Sequence, residues 1–268
     1  INLPKEQNGP SEVYIEENIQ RIFSKEYDDQ LASIRFFEYQ LKYYEIILPY
    51  EYLEITIDIF QSHLDDSTLI NLLLAFYRHC TGFESEMQDY LIEKDLVAIV
   101  IPFFPQEDVL AILGNLSIKN MDILNQLLTM GVLGQIFPLI DIFKEEKDQS
   151  SEELLNFGNS IDLLDSLLYN FDGEPFAAYI PMFVEIFDAL CLAYENISID
   201  LAIRIAEVFS NYIEADSVFI QSFYEKNQFK LFLEKEYDDN KIDELIIKMM
   251  DSIISEYEYQ GVKYLYEF

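Results

Sequence analysis

Two histidines, two cysteines and 50 carboxylates are the side chains here best suited to proton transfer, nucleophilic attack or metal ligation. A catalytic histidine would have to be His63 or His79. His63 falls in the polar break Gln61–Asp66, and His79 closes an apolar stretch beside Arg78. Neither belongs to a zinc-protease motif, and the chain carries no G-x-S-x-G elbow and no glycine-rich phosphate loop. Cys80 and Cys191 are too few for a disulfide framework or a thiolate cluster. His79 and Cys80 are neighbours, and adjacent helical residues point about 100° apart, which makes a poor chelate. Acidic pairs such as Glu152–Glu153 and Asp238–Asp239 are expected by chance among so many acids. A buried pair with displaced pKa values could still exchange protons, and no spacing singles one out. The residues therefore point away from an enzyme, and they imply no metal and no cofactor.

Charge restricts the partners more than the chemistry does. Acidic residues outnumber basic ones 50 to 17, a net charge of −33. Such a surface repels nucleic-acid phosphates and the anionic face of a membrane, so neither is an expected partner. It attracts basic partners, most strongly at low salt. The plainer role of such charge is solubility. The longest apolar run, Leu96–Pro105, is ten residues broken by Pro102, too short to cross a bilayer. No signal peptide is visible in the polar stretch Ile1–Pro10. With no disulfide framework, the expected compartment is reducing: cytoplasm and nucleus. Asn115-Leu-Ser117 and Asn196-Ile-Ser198 match the glycosylation acceptor pattern, which also occurs by chance.

The elements that position these side chains are helices. Only 8 Gly and 8 Pro interrupt the chain. In Ser67–Cys80 the residues Leu69, Leu72, Leu73, Phe76 and Tyr77 recur at three- and four-residue spacing, behind the helix-start residues Asp65, Asp66 and Ser67. Ser160–Asn170 and Ile199–Ile213 read the same way. Four segments end alike, in Ala75-Phe-Tyr-Arg-His79, Ile112-Leu-Gly-Asn-Leu116, Leu167-Leu-Tyr-Asn-Phe171 and Val208-Phe-Ser-Asn-Tyr212. Aligning Arg78, Asn115, Asn170 and Asn211 gives spacings of 37, 55 and 41 residues. Each is followed by a polar break and a second helix: Leu96–Phe104, Leu133–Phe143, Phe176–Phe187 and Phe229–Leu233. Pro102, Pro138 and Pro181 recur within three of these. The longest spacing holds the polar stretch Lys144–Glu153, which reads as an inserted loop.

A period near 40 with two or three helices per unit marks an armadillo or HEAT-like repeat. One such unit cannot bury its apolar faces alone; stacking shares them and leaves an extended concave face. The fold expected is all-α, an α-solenoid of about five helical repeats forming a single domain over residues 1–268. The repeats fall at about 15–60, 65–104, 107–143, 152–187 and 197–236, with a capping helix over 241–260. An aromatic stripe, Phe36, Phe37, Tyr39, Tyr43 and Tyr44, reads as core packing between helices or as groove lining.

The first half also resembles a particular family. Ile19-Gln-Arg-Ile-Phe-Ser24, followed by Asp28-Asp-Gln-Leu-Ala-Ser-Ile-Arg-Phe-Phe37, is similar to the opening armadillo repeat of the importin-α family, with Asn2-Leu-Pro4 ahead of it as in that family's lead-in. Glu107-Asp-Val109 and Leu113-Gly-Asn-Leu-Ser117 resemble its third repeat. The resemblance is clearest over about residues 15–143. It implies a nuclear-import adaptor that binds an extended Lys/Arg-rich signal in its concave groove, with an import carrier as a further partner. In that family asparagines bond the peptide backbone, tryptophans one turn earlier stack on basic stems, and acids take the charges. An asparagine suits an extended backbone because it both donates and accepts.

Carried over by position, Asn115, Asn170 and Asn211 fall on the asparagine ladder, and Arg78 takes a fourth place. Each asparagine equally suits a hydrogen bond at a helix end. The chain has no tryptophan, and Leu74, Ala111, Ser166 and Glu207 stand four residues before the ladder positions. A groove of this kind would instead rely on acids such as Glu207, Asp162 and Asp165. The alternative is a diverged armadillo scaffold that binds a folded protein without an import role.

Overall fold

A computed structural model describes residues 10–82, 86–118, 120–144, 149–169, 176–194, 197–215, 219–221 and 239–259. Asn2–Pro4, Asn170, Asn196, Phe229–Leu233 and Asp238 lie outside them. The described residues are helical, with no strand among them. By contact they form two units, Ile1–Leu116 and Ser117–Phe268.

The first unit contains α1 (Glu12–Ile22), α2 (Tyr27–Tyr43), α3 (Tyr50–Ser62), α4 (Ser67–Thr81), α5 (Glu86–Glu93), α6 (Leu96–Val100) and α7 (Glu107–Ser117). Helix α2 packs against α1 and α4, and α3 touches α1, α4 and α5. The local chemistry explains α4. The Asp66 carboxylate accepts from the backbone N–H of Thr68 and of Leu69, each at 3.1 Å, satisfying two donors that the first helical turn leaves open. The Leu69 N–H and the Tyr27 hydroxyl, which donates to the same carboxylate at 2.8 Å, hold Asp66 below the usual carboxylate range. Leu69, Leu73, Phe76 and Tyr77 of the expected stripe are buried, and Leu74 joins them.

Aromatic rings fill this core, Phe37 lying edge-on to Tyr52 at 5.1 Å. Polar atoms in it are paired. The Ser33 hydroxyl donates to the Asn18 carbonyl at 2.6 Å and lies 3.0 Å from the Tyr52 hydroxyl, and Tyr77 donates to Thr56 Oγ1 at 3.2 Å. Burial pushes both phenols well above their ordinary range. The aromatic stripe therefore divides: Phe37 is core, whereas Tyr39 faces outward.

The second unit contains α8 (Met121–Thr129), α9 (Val132–Asp141), α10 (Ser151–Tyr169), α11 (Ile180–Tyr194), α12 (Ile199–Ala215) and α13 (Asn240–Tyr259). Helix α9 packs on α10 and α11, α10 on α12, and α12 on α13. Gly131 ends α8 at φ 79, a left-handed turn that only glycine adopts without strain. Phe187 stacks on Tyr212 at 3.7 Å and meets Phe209 edge-on at 4.7 Å. Ala177–Tyr194 is long and apolar enough to span a bilayer, yet Phe183, Ile186, Phe187, Leu190 and Tyr194 are buried within the unit.

Two expected boundaries move. Helix α10 starts at Ser151, well before Ser160, because Ser150 and Glu153 cap it reciprocally. The Ser150 N–H donates to the Glu153 carboxylate at 2.7 Å, and the Glu153 N–H donates to Ser150 Oγ at 3.2 Å. Part of the expected loop is thus helix. Leu96–Phe104 is a short helix followed by a tighter 3-10 turn over Ile101–Phe103, where Pro102 withholds its backbone donor.

Candidate functional site

Helices at the repeat period lie side by side within each unit, and their facing side chains make the candidate site. In the first unit these are α2, α4 and α7. Arg78, near the end of α4, donates through Nη1 to Glu107 Oε1 at 2.9 Å and to Asp108 Oδ1 at 3.1 Å. Both acids occupy the first turn of α7, where the helix dipole favours negative charge. Burial works against the guanidinium, but the two carboxylates prevail and hold it above its ordinary value.

Asn115 of α7 donates through Nδ2 to Thr81 Oγ1 at 3.3 Å, with a longer contact of 3.5 Å to the Arg78 carbonyl, while its own carbonyl accepts from Gln88 Nε2 at 3.0 Å. Arg78 and Asn115 are thus neighbours, as their shared register predicted, and the asparagine amide joins two helix ends. Ser117 of the same acceptor triplet is fully buried. One position further, His79 Nε2 lies 3.6 Å from Glu38 Oε1 on α2. Burial pushes this imidazole below its ordinary value; Glu38 opposes the shift, and Arg78 and Lys42 reinforce it. His63 is held differently, with Nδ1 3.0 Å from the Ile59 carbonyl.

In the second unit the facing helices are α10, α12 and α13. They bring four of the predicted residues together: Asp162 and Asp165 from α10, Glu207 and Asn211 from α12. Asn211 Nδ2 donates to Asp165 Oδ1 at 2.5 Å. Asp162 receives a two-pronged bond from Arg204, Nε to Oδ1 at 2.9 Å and Nη2 to Oδ2. Glu207 pairs with Lys241 at 2.5 Å, and Glu214 with Lys248 at 3.0 Å. The Asp165 carboxyl is raised above its ordinary value: burial leads, the Asn211 donor opposes it, the Glu207 and Asp162 charges add to it, and Lys248 offsets a little. Three carboxylates and an amide therefore lie close together, with Arg204, Lys241 and Lys248 among them. Ser166, one turn before Asn170, donates its hydroxyl to the Asp162 carbonyl at 2.9 Å.

Sequence reasoning missed the internal cations Arg204, Lys241 and Lys248, and the glycine beneath Arg204, Gly158. A signal was present: Arg204 lies 42 residues after Asp162, within a residue of the 41-residue spacing between Asn170 and Asn211, so successive repeats bring the two near each other. Among the described residues no group of three His, Cys, Asp or Glu side chains could hold a metal ion.

No protein-family model and no curated protein matches the sequence. Solved structures do. A designed armadillo repeat protein, YIII(Dq)4CqI, superposes with a TM-score of 0.67 at 13% identity over 89% of this chain and 99% of its own. Computationally designed armadillo repeat proteins for modular peptide recognition give 0.66 at 13% identity, covering 89% and 99%. The designed protein YIII(Dq.V1)4CPAF, solved in complex with the peptide (KR)4, gives 0.68 at 12% identity, covering 91% and 100%. The fold is an armadillo α-solenoid. That agrees with the fold class read from the repeats.

Proposed function

We propose that the solenoid binds an extended, basic protein segment along its facing helices, with the acids of α10 and α12 taking the positive charges. The carrying observation is the convergence of Asp165 and Glu207 beside Asn211, with the Asp165 carboxyl raised by burial first and then by the neighbouring Glu207 and Asp162 charges. An arriving ammonium or guanidinium relieves that repulsion, and the amide of Asn211 is of the kind that both donates to and accepts from a peptide backbone. The net charge of −33 adds long-range attraction. A designed protein of the same fold was solved in complex with a (KR)4 peptide, which supports the reading. A nuclear-import adaptor working in cytoplasm and nucleus, with an import carrier as second partner, is the specific form of this reading that the family resemblance supports.

The test is titration of labelled Lys/Arg-rich nuclear-signal peptides against charge-scrambled and acidic controls, at about 50 and 150 mM salt. Selective binding that survives the higher salt and weakens in Asn211→Ala or Asn115→Ala is expected. Equal or absent binding of all peptides would overturn the reading. A second reading, a scaffold for a folded protein, draws on a separate observation: Arg78, Arg204, Lys241 and Lys248 already pair with acids of neighbouring helices. The lysine pairs of α13 are exposed and weak, so a multivalent basic ligand can displace them, and the peptide-binding reading keeps precedence.

A further inference from the structure

Arg204 is placed with unusual care. Its guanidinium lies across α10 from Gly158 to Asp162, one helical turn. Nε and Nη2 engage the two oxygens of Asp162. Nη1 rests against Gly158, where a Cβ would collide with that nitrogen while meeting Leu201 at an ordinary 3.5 Å. Gly158 is buried well inside a helix of 19 residues. A glycine there costs about 0.5–1 kcal/mol relative to alanine, so the seat is maintained against helix propensity. What the seat holds is a positively charged fork on a carboxylate of the acidic face, in the manner expected of a ligand's own arginine.

We propose that Arg204, seated on Gly158, is a built-in occupant of one basic-residue subsite and sets the specificity of the face: it closes Asp162 to ligand cations and leaves Asp165 and Glu207 to receive them. This rests on the reading of the face as a site for a basic segment. The lysines of α13 reach Glu207 and Glu214 from flexible stems, each through a single nitrogen and without such a seat. A ligand can compete for those contacts more readily than for the fork on Asp162. The ligand residue facing Asp162 is then free to be uncharged.

The test is binding of the (KR)4 peptide, followed by fluorescence anisotropy at low salt, to the full chain and to Arg204→Gln, Gly158→Ala, Asp162→Asn and the double variant Arg204→Gln/Asp162→Asn. Arg204→Gln is expected to tighten binding about two- to fivefold, Asp162→Asn alone to change it by less than about twofold, and the double variant to lose the gain. Gly158→Ala removes no charge and displaces only the end of a flexible side chain. It should tighten binding in the same direction and unfold no earlier than the parent chain, which separates the seat from a change in net charge and carries the test if Arg204→Gln folds poorly. Binding by Arg204→Gln and Gly158→Ala no tighter than by the parent overturns the proposal alone. Failure of parent and variants alike to bind (KR)4 overturns the basic-segment reading with it.

Discussion

His79 shows how one side chain ties the two facing helices α2 and α4 to pH. Its imidazole is held below its ordinary value, so the folded state prefers the neutral form and the unfolded chain takes up a proton first. A group of this kind contributes stability above its unfolded pKa and loses it as pH falls through the folded one. Denaturant midpoints of the parent chain should fall more than those of His79→Asn between about pH 7 and pH 5. Parallel curves would mean that Glu38 compensates fully. The sequence marked His79 only as a helix-ending histidine beside Arg78. Its partner Glu38 is about one period away and could not be chosen among 50 acids without the fold.

At the scale of single elements, helix ends are governed by a few side-chain bonds that the sequence states openly. Asn120 accepts from the N–H groups of Asp122 and Ile123, each at 3.1 Å, and so starts α8. Asn120→Ala should cost about 1 kcal/mol, read as a shift in the urea midpoint with an unchanged slope. The same logic made α4 legible from Asp66 and the apolar stripe behind it, and α12 from the periodicity that starts at Ile199. The early start of α10 was legible too, in Ser150 and Glu153, but the polar character of Lys144–Glu153 masked it. The candidate site was legible by halves. Repeat register placed Arg78, Asn115 and Asn211 beside period-related neighbours, because a solenoid turns sequence period into adjacency. Which acids face which cations depends on side-chain rotation about each helix, and periodicity does not carry that information.

Across the whole molecule, charge is unevenly managed: 17 cations serve 50 acids, and several of the cations bridge facing helices. Salt weakens those exposed bridges, but it also screens the repulsion of a chain at −33. Repulsion involves far more pairs than the bridges do, so it decides the sign. The thermal midpoint should rise by a few degrees between about 20 and 300 mM sodium chloride. A fall would show that the bridges hold the helices together. The chain's lack of tryptophan has an optical consequence. Its near-ultraviolet spectrum belongs to tyrosine, and among the described residues the fully buried members divide evenly, Tyr52 and Tyr77 in the first unit, Tyr194 and Tyr212 in the second. The native absorbance reports both units together, so a single tryptophan introduced at Ala111 or Ser166 would be the sole fluorophore of its kind and would let one unit be watched melting on its own.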